Sequence, residues 1–337
     1  MAAKKSYEPV ETKMTLNRVT AKSMPFDWSI NPYRGCAHGC SFCYARAFQS
    51  FIGREADDEF QNRITIKQNA AEALEAQLAK KLKRHGGGLE AMAREIGTVA
   101  IGTATDPYQP VEGKAFITRE CLKVLAKYRL RTSITTRSPL ILRDLDVLTA
   151  MRIESVNISI NTLRADISRK LEPASPFPAK RLETVETLCR SGIKAGLFIA
   201  PILPCLTDSA KDLEQLISAA KAHRAAFAYA SVLRLSPDVK AWYMHTLETH
   251  FPHLLRAYGS LYAGAYANRA YADRVMELAK KLLERYGFAG RGMRRDAVRP
   301  DEAGGMAAAT INEFAGEQAA PKQSSRPEAV EQLQFTF

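Results

Sequence analysis

The sequence predicts an α/β fold, a partial TIM-like (β/α)6 barrel followed by a C-terminal helical extension. Two observations carry this. Between Trp28 and about Leu235, six short apolar, β-rich runs alternate with helical patterns; strands buried on both faces of a parallel sheet read as such runs. After Pro237 the pattern turns wholly helical, so the alternation ends there.

In chain order, residues 1–25 are polar and basic without periodicity and read as a flexible basic arm. The six strands are Asp27–Asn31, Thr98–Thr103, Arg131–Thr136, Ser155–Ile160, Ala195–Pro201 and Phe227–Leu235, which set a barrel core at 26–237. Among the intervening helices, Asn69–Arg84 repeats Ala and Leu at helical spacing, and Thr118–Arg129 begins on Thr118 as N-cap. Lys180–Arg190 ends near Gly192, a C′ glycine, and Ser209–His223 is amphipathic. Right-handed crossovers bring the strand C-termini to one end, where an active site belongs. A helical unit at 238–295 follows, with helices Val239–His250, Pro252–Gly259 and Asn268–Tyr286 and many tyrosines. Residues 296–337 are rich in Ala, Gly, Pro and Ser and read as a disordered tail with a hydrophobic motif at its end.

A chain of 337 residues, 46% hydrophobic, can bury a sizeable core. No apolar run approaches the ~18–20 residues that span a bilayer, and no apolar segment follows Lys4 and Lys5 as a signal peptide requires. A cytoplasmic protein with no membrane partner is expected. The net charge of +12 favours an anionic partner, nucleic acid first.

The six cysteines argue for metal binding or catalysis rather than disulfides in such a compartment. Cys36, Cys40 and Cys43 fall in a C-x3-C-x2-C spacing. Three thiolates on one short loop can ligate three irons of a [4Fe–4S] cubane and leave the fourth open. Gly35 and Gly39 suit the tight backbone that wraps such a cluster. The competing reading is a Cys3His zinc site with His38 as fourth ligand, and with it a zinc-stabilised nucleic-acid-binding protein without catalysis.

With Phe42 just before the last cysteine, and a preceding strand that opens a β/α series, this motif resembles the radical S-adenosylmethionine (SAM) superfamily. The resemblance implies that the open iron chelates the amino and carboxylate groups of SAM. An electron from a donor such as flavodoxin or ferredoxin then cleaves the sulfonium to a 5′-deoxyadenosyl radical. Further matches are Ser159-Ile160-Asn161-Thr162, Lys170-Leu171-Glu172-Pro173, Lys180-Arg181-Leu182-Glu183 and Phe198-Ile199-Ala200-Pro201-Ile202. Together they resemble, from about Ser29 to Leu235, the branch containing spore photoproduct lyase and uncharacterised bacterial relatives. Thr105-Asp106-Pro107-Tyr108-Gln109-Pro110 is like the relatives rather than the lyase.

This likeness implies SAM contacts at Thr105, Arg137 and Ser159, each at the C-terminal end of a predicted strand. A guanidinium at Arg137 can pair bidentately with the SAM carboxylate. The hydroxyls of Thr105 and Ser159, and the amide of Asn161, can bond the ribose or amino-acid portion, and Asp106 can accept from the ammonium. The bland alternatives are helix caps for Thr105 and Ser159 and a turn for Asp106. Phe42 and Tyr44 flank the third cysteine at the cofactor. Arg234, ending the sixth strand, faces the site or a substrate phosphate. Where the lyase has a hydrogen-donating cysteine this sequence has Thr103, so the lyase's thymine-dimer reaction does not carry over. Cys205, just past the fifth strand, and Tyr44 are the catalytic candidates; Cys121 and Cys189 read as core. The expected substrate is nucleic acid, in a repair-like reaction, with a protein or metabolite substrate as the alternative.

Two basic stretches follow from the charge: Lys80–Arg84, a cationic helix end, and Arg291-Gly292-Met293-Arg294-Arg295, a candidate phosphate contact. The last six residues, Gln332-Leu333-Gln334-Phe335-Thr336-Phe337, resemble peptides that dock on the bacterial sliding clamp, an expected link to DNA.

Overall fold

Apolar runs buried on both faces assemble in this chain as parallel strands in sequence order. The computed structural model describes residues 5–20 and 24–288. Its strands are β1 (Ser6–Val10), β2 (Asn17–Arg18), β3 (Trp28–Ile30), β4 (Tyr33–Arg34), β5 (Arg63–Lys67), β6 (Thr98–Ile101), β7 (Arg131–Thr136), β8 (Ile153–Ser159), β9 (Ala195–Ile202) and β10 (Ala228–Val232). The main sheet runs β10-β9-β8-β7-β6-β3-β2. Every neighbour pair from β3 to β10 is parallel, and only β2 is antiparallel. These six parallel strands are the six predicted runs, and they form the partial TIM-like barrel. Val99, Ile101, Ile134, Val156, Ile158, Leu197 and Ile199 are buried in its core. Helices Ala70–Arg84, Ile117–Lys127, Pro178–Arg190 and Ala210–Ala222 add their apolar stripes, with Cys121 fully buried and Cys189 packed against the cluster.

The first turn of Ile117–Lys127 differs from expectation. Its N-cap position is Phe116, in the left-handed region at φ +56°, not Thr118. The Thr118 hydroxyl instead donates to the Pro107 carbonyl at 2.5 Å, while the backbone N–H groups of Thr118 and Arg119 donate to the buried Glu112 carboxylate. A carboxylate that meets the unpaired first-turn donors replaces a capping side chain. Gly192 takes the expected positive φ, at +80°.

The N-terminal segment is not the expected loose arm over its described residues. β1 pairs in parallel with β5, and β5 antiparallel with β4, in a second small sheet. Gln77 Oε1 accepts the N–H groups of Thr15 and Leu16, and Asn69 Oδ1 accepts that of Thr12. With its backbone satisfied by two side chains and Leu16 in the core, the polar segment has a fixed place.

Beyond the barrel, Pro237–His250 and Arg269–Arg285 are helical as expected, whereas the predicted Pro252–Gly259 is a 3-10 turn, Pro252–Leu254, leading into Leu255–Leu261. Tyr243, Leu247, Tyr258 and Tyr262 share one buried cluster with Leu203, Leu233, Cys40 and Phe42. The helical unit therefore packs on the strand C-termini and on the cysteine loop. Residues 289–337, including Arg291–Arg295 and the Gln332–Phe337 motif, lie outside the described residues. No helix among the described residues is long and apolar enough to cross a membrane.

Candidate active site

The cysteine loop leaves the C-terminal end of β3 through β4. Gly35 and Gly39 adopt φ of +72° and +68°. A Cβ on Gly35 would lie 2.8 Å from the carbonyl oxygens of both Phe60 and Arg63, so the turn requires glycine. Cys36 N–H donates to the Phe60 carbonyl at 2.9 Å. Cys36 and Cys40 are buried and Cys43 partly so, all three as free thiols. Burial pushes the Cys36 thiol well above its ordinary value, and Asp106, Cys40 and Cys43 add to it. Burial likewise pushes Cys40 up to about 12 against the pull of the Arg137 charge.

The Thr105–Gln109 segment, after β6, grips this loop. Gln109 Oε1 accepts the Ala37 N–H at 2.9 Å, and the Thr105 hydroxyl donates to the Gly35 carbonyl at 2.6 Å. Asp106 Oδ1 accepts from the Tyr108 N–H and the Thr136 hydroxyl, and its Oδ2 from the Arg137 N–H at 2.8 Å. His38 Nε2 lies 3.2 Å from the same Oδ2, an ion-pair distance without hydrogen-bond alignment. Burial would raise the Asp106 carboxyl, but His38, Thr136 and the Arg137 N–H outweigh it and hold the group at about 2. The expectation that Asp106 meets the SAM ammonium thus changes: its oxygens are already engaged within the chain, and it joins the loop to β7.

Two buried arginines and Glu172 complete the surroundings. Arg46, fully buried, donates to the Cys40 and Gly39 carbonyls and lies between the rings of Phe60 and Trp242, 4.8 and 5.1 Å from their centroids. Burial lowers its guanidinium to about 10 despite the nearby thiols, so it stays cationic at neutral pH. Arg137 Nε lies 3.4 Å from Glu172 Oε1, and Arg181 binds Glu172 Oε2 and the Ser159 carbonyl. Burial disfavours the Arg137 charge, but Cys40 and Glu172 more than restore it. Two cations thus share one carboxylate, an excess of positive charge facing the thiols.

Phe42, Asn161, Thr162, Glu172, Arg181 and Leu203 line a small cavity above β8 and β9. Asn161 is 5% exposed, yet its Nδ2 has no hydrogen-bond partner among the described residues. Ser159 is buried at the end of β8. The Tyr44 hydroxyl donates to the Thr103 carbonyl, and the Thr103 hydroxyl accepts from Asn31 Nδ2 at 2.9 Å. Arg234 bridges by its backbone to Tyr266, with its guanidinium 5.3 Å from that ring's centroid. Cys205 is exposed at φ +60° in the turn after β9, its thiol raised by partial burial and by Asp208. His38, Gln109, Glu172 and Arg181 were not singled out by sequence as a supporting shell. Only their positions inside recognisable motifs hint at it.

These residues fit a cluster better than a zinc ion. His38 has its Nδ1 3.3 Å from the Ala174 carbonyl and its Nε2 on Asp106, so both ring nitrogens are directed away from the thiols. Among the described residues, no three Cys, His, Asp or Glu side chains converge on one metal-ion position. In a cubane each thiolate binds its own iron, so convergence on a point is not required. Cationic Arg46 and Arg137 suit a group held by three thiolates.

The model of the radical SAM superfamily matches residues 30–217. An uncharacterised protein of Mycobacterium tuberculosis is 31% identical over 290 residues, which cover 85% of this chain and 82% of that one. An uncharacterised protein of Methanocaldococcus jannaschii is 28% identical over 252 residues, covering 75% and 85%. In fold the chain is similar to spore photoproduct lyase with bound AdoMet and dinucleoside spore photoproduct (TM-score 0.60, 15% identity), with 83% of this chain and 79% of that one covered. A second structure of that lyase, complexed with the dinucleoside product, gives a TM-score of 0.61 at 14% identity and the same coverage. This family uses a [4Fe–4S] cluster and SAM, and the chain described here belongs to it: it is a member of the radical SAM superfamily.

Proposed function

We propose that this chain is a cytoplasmic enzyme that cleaves SAM reductively and acts on nucleic acid in a repair-like reaction. The observation that carries it is the loop of three thiols, Cys36, Cys40 and Cys43, beside Arg137 at the C-terminal end of a parallel barrel. Held by Cys36, Cys40 and Cys43, a [4Fe–4S] cluster would supply the single electron that reductive cleavage of SAM requires.

The chain's own part is to bind and orient. Arg137 holds the SAM carboxylate, and Glu172 fixes the guanidinium that does so. Asn161 Nδ2, without a hydrogen-bond partner among the described residues, donates to the bound SAM. In this reading Phe42, Tyr44 and Ser159 also contact the bound cofactor. Thr105 and Asp106 serve by holding the loop and not by touching SAM. In this reading Cys205, exposed just past β9, gives its hydrogen atom to a substrate radical, and Arg234 meets a phosphate. The net charge of +12 supports a polyanionic substrate. The Gln332–Phe337 peptide supports docking on a sliding clamp, and a flavodoxin or ferredoxin is the class of electron donor.

The test is anaerobic reconstitution with iron and sulfide, followed by SAM and dithionite, with and without DNA. The expected result is 5′-deoxyadenosine, with turnover altered by DNA. No 5′-deoxyadenosine from iron-loaded protein would overturn the reading. Its formation without any DNA binding would turn the substrate assignment to a protein or metabolite.

A further inference from the structure

The segment from Arg169 to Phe177 has two unlike faces. Inward, Leu171 and Glu172 are buried and line the cavity beside Phe42. Outward, Arg169, Lys170, Pro173, Ala174 and Phe177 are exposed. Its backbone lies on the cysteine loop, since Ser41 N–H donates to the Leu171 carbonyl at 2.8 Å and Ala174 N–H to the His38 carbonyl at 3.2 Å.

The outward cations rest on rings, not on acids. The Arg169 guanidinium stands 4.3 Å from the Phe177 ring centroid and bonds the Pro173 carbonyl. Lys170 Nζ lies 5.1 Å from that of Phe251. Neither pairs with a carboxylate among the described residues, whereas neighbouring Arg164 and Lys180 pair with Asp166 and Glu183. Phe177 is 49% exposed, the most open of the large apolar side chains among the described residues. One exposed ring alone means little. With Arg169 beside it and Lys170 next along the chain, neither offset by a carboxylate among the described residues, and one residue layer from the cysteine loop, it makes a stacking face with phosphate-binding groups close by.

Resting on the nucleic-acid reading above, we propose that Arg169, Lys170 and Phe177 form a platform for single-stranded nucleic acid at the barrel mouth. Phe177 stacks on an unpaired base, and the two cations meet phosphates on either side. A duplex keeps its bases stacked on one another and offers this ring no face, so the platform selects unpaired strands. An acidic peptide would use the charges and leave the ring idle.

The test is fluorescence anisotropy of the full chain with labelled oligothymidylate and with a duplex of equal length, over a salt series. Phe177→Ala is expected to weaken single-strand binding roughly 5- to 100-fold with little effect on duplex, and Phe177→Tyr, which keeps a ring, to bind like the parent. Joint replacement of Arg169 and Lys170 by Ala should flatten the log–log salt slope by about 1.4, about 0.7 for each lost single-strand phosphate contact. If the parent binds oligothymidylate and Phe177→Ala binds it equally well, or loses duplex binding to the same degree, the platform is wrong while the substrate class stands. If the parent binds neither nucleic acid near physiological salt, both fall.

Discussion

Gln109 Oε1 accepts the backbone N–H of Ala37 at 2.9 Å, so an amide from the loop after β6 is built into the turn that carries the cysteines. The same side chain gives its Nε2 to the Thr105 hydroxyl, which in turn holds the Gly35 carbonyl. Gln109→Ala leaves the buried Ala37 N–H unpaired, at a cost of about 1–3 kcal/mol. The expected outcome is a melting temperature lower by several degrees and fewer irons retained after reconstitution. Parent-like melting and iron content would show this contact to be idle.

Asp106 makes stability depend on acid pH. Its carboxyl sits at about 2 in the folded chain against an ordinary 3.8. A depressed carboxylate contributes stability above its unfolded pKa and loses it as pH falls through the folded one. Urea midpoints of the apo-protein should therefore drop between about pH 4 and pH 2, by an amount equivalent to about 2 kcal/mol. In Asp106→Asn that part of the slope should vanish.

Cys40→Ala removes one of the three proposed cluster ligands. The variant should emerge from anaerobic reconstitution without visible iron–sulfur absorbance and form no 5′-deoxyadenosine. Cys121→Ala, in the barrel core, should keep both. Full activity in Cys40→Ala would refute the cluster assignment.

Arg137→Met tests the carboxylate contact. Removing a charge-assisted pair should weaken SAM binding roughly 10- to 100-fold by calorimetry on the reconstituted protein, with iron content unchanged. An unaltered Kd would place the SAM carboxylate elsewhere.

Glu172→Gln leaves Arg137 and Arg181 buried with no shared counter-charge. Breaking such a group costs about 3–5 kcal/mol, to be read from denaturant midpoints of the apo-protein. Glu172→Asp should recover part of it.

The barrel was legible because both-face burial writes itself as apolar runs, as in Thr98–Ile101, buried at all its positions; Arg131–Thr136 matches β7 at both ends through its β-branched Thr and Ile, although its burial alternates. What escaped depended on distant partners. The segment around Leu16 reads as polar because its backbone is satisfied by Gln77, some sixty positions away. Thr118 has the right type for a cap, but Glu112, pinned by Arg143 and Tyr33, reaches the free N–H groups first. In the site, the cysteines declare themselves by spacing. Asp106 is as visible in the sequence, yet its partners come from two distant stretches, His38 from the cysteine loop and Thr136 with the Arg137 N–H from the end of β7. Residue type showed that it mattered and could not show to what.

The turn around Cys36–Cys43 is shaped by contacts that run from chain to chain: Phe60 and Gln109 to its backbone, Arg46 to its carbonyls, Leu171 and Ala174 to its far side. In small zinc modules the metal is itself the core, and without it there is no fold. Here protein contacts already hold the loop, so assembly is expected not to wait for loading. A cell short of iron would keep a standing stock of folded, empty receptors, and recovery would depend on delivery rather than on new synthesis.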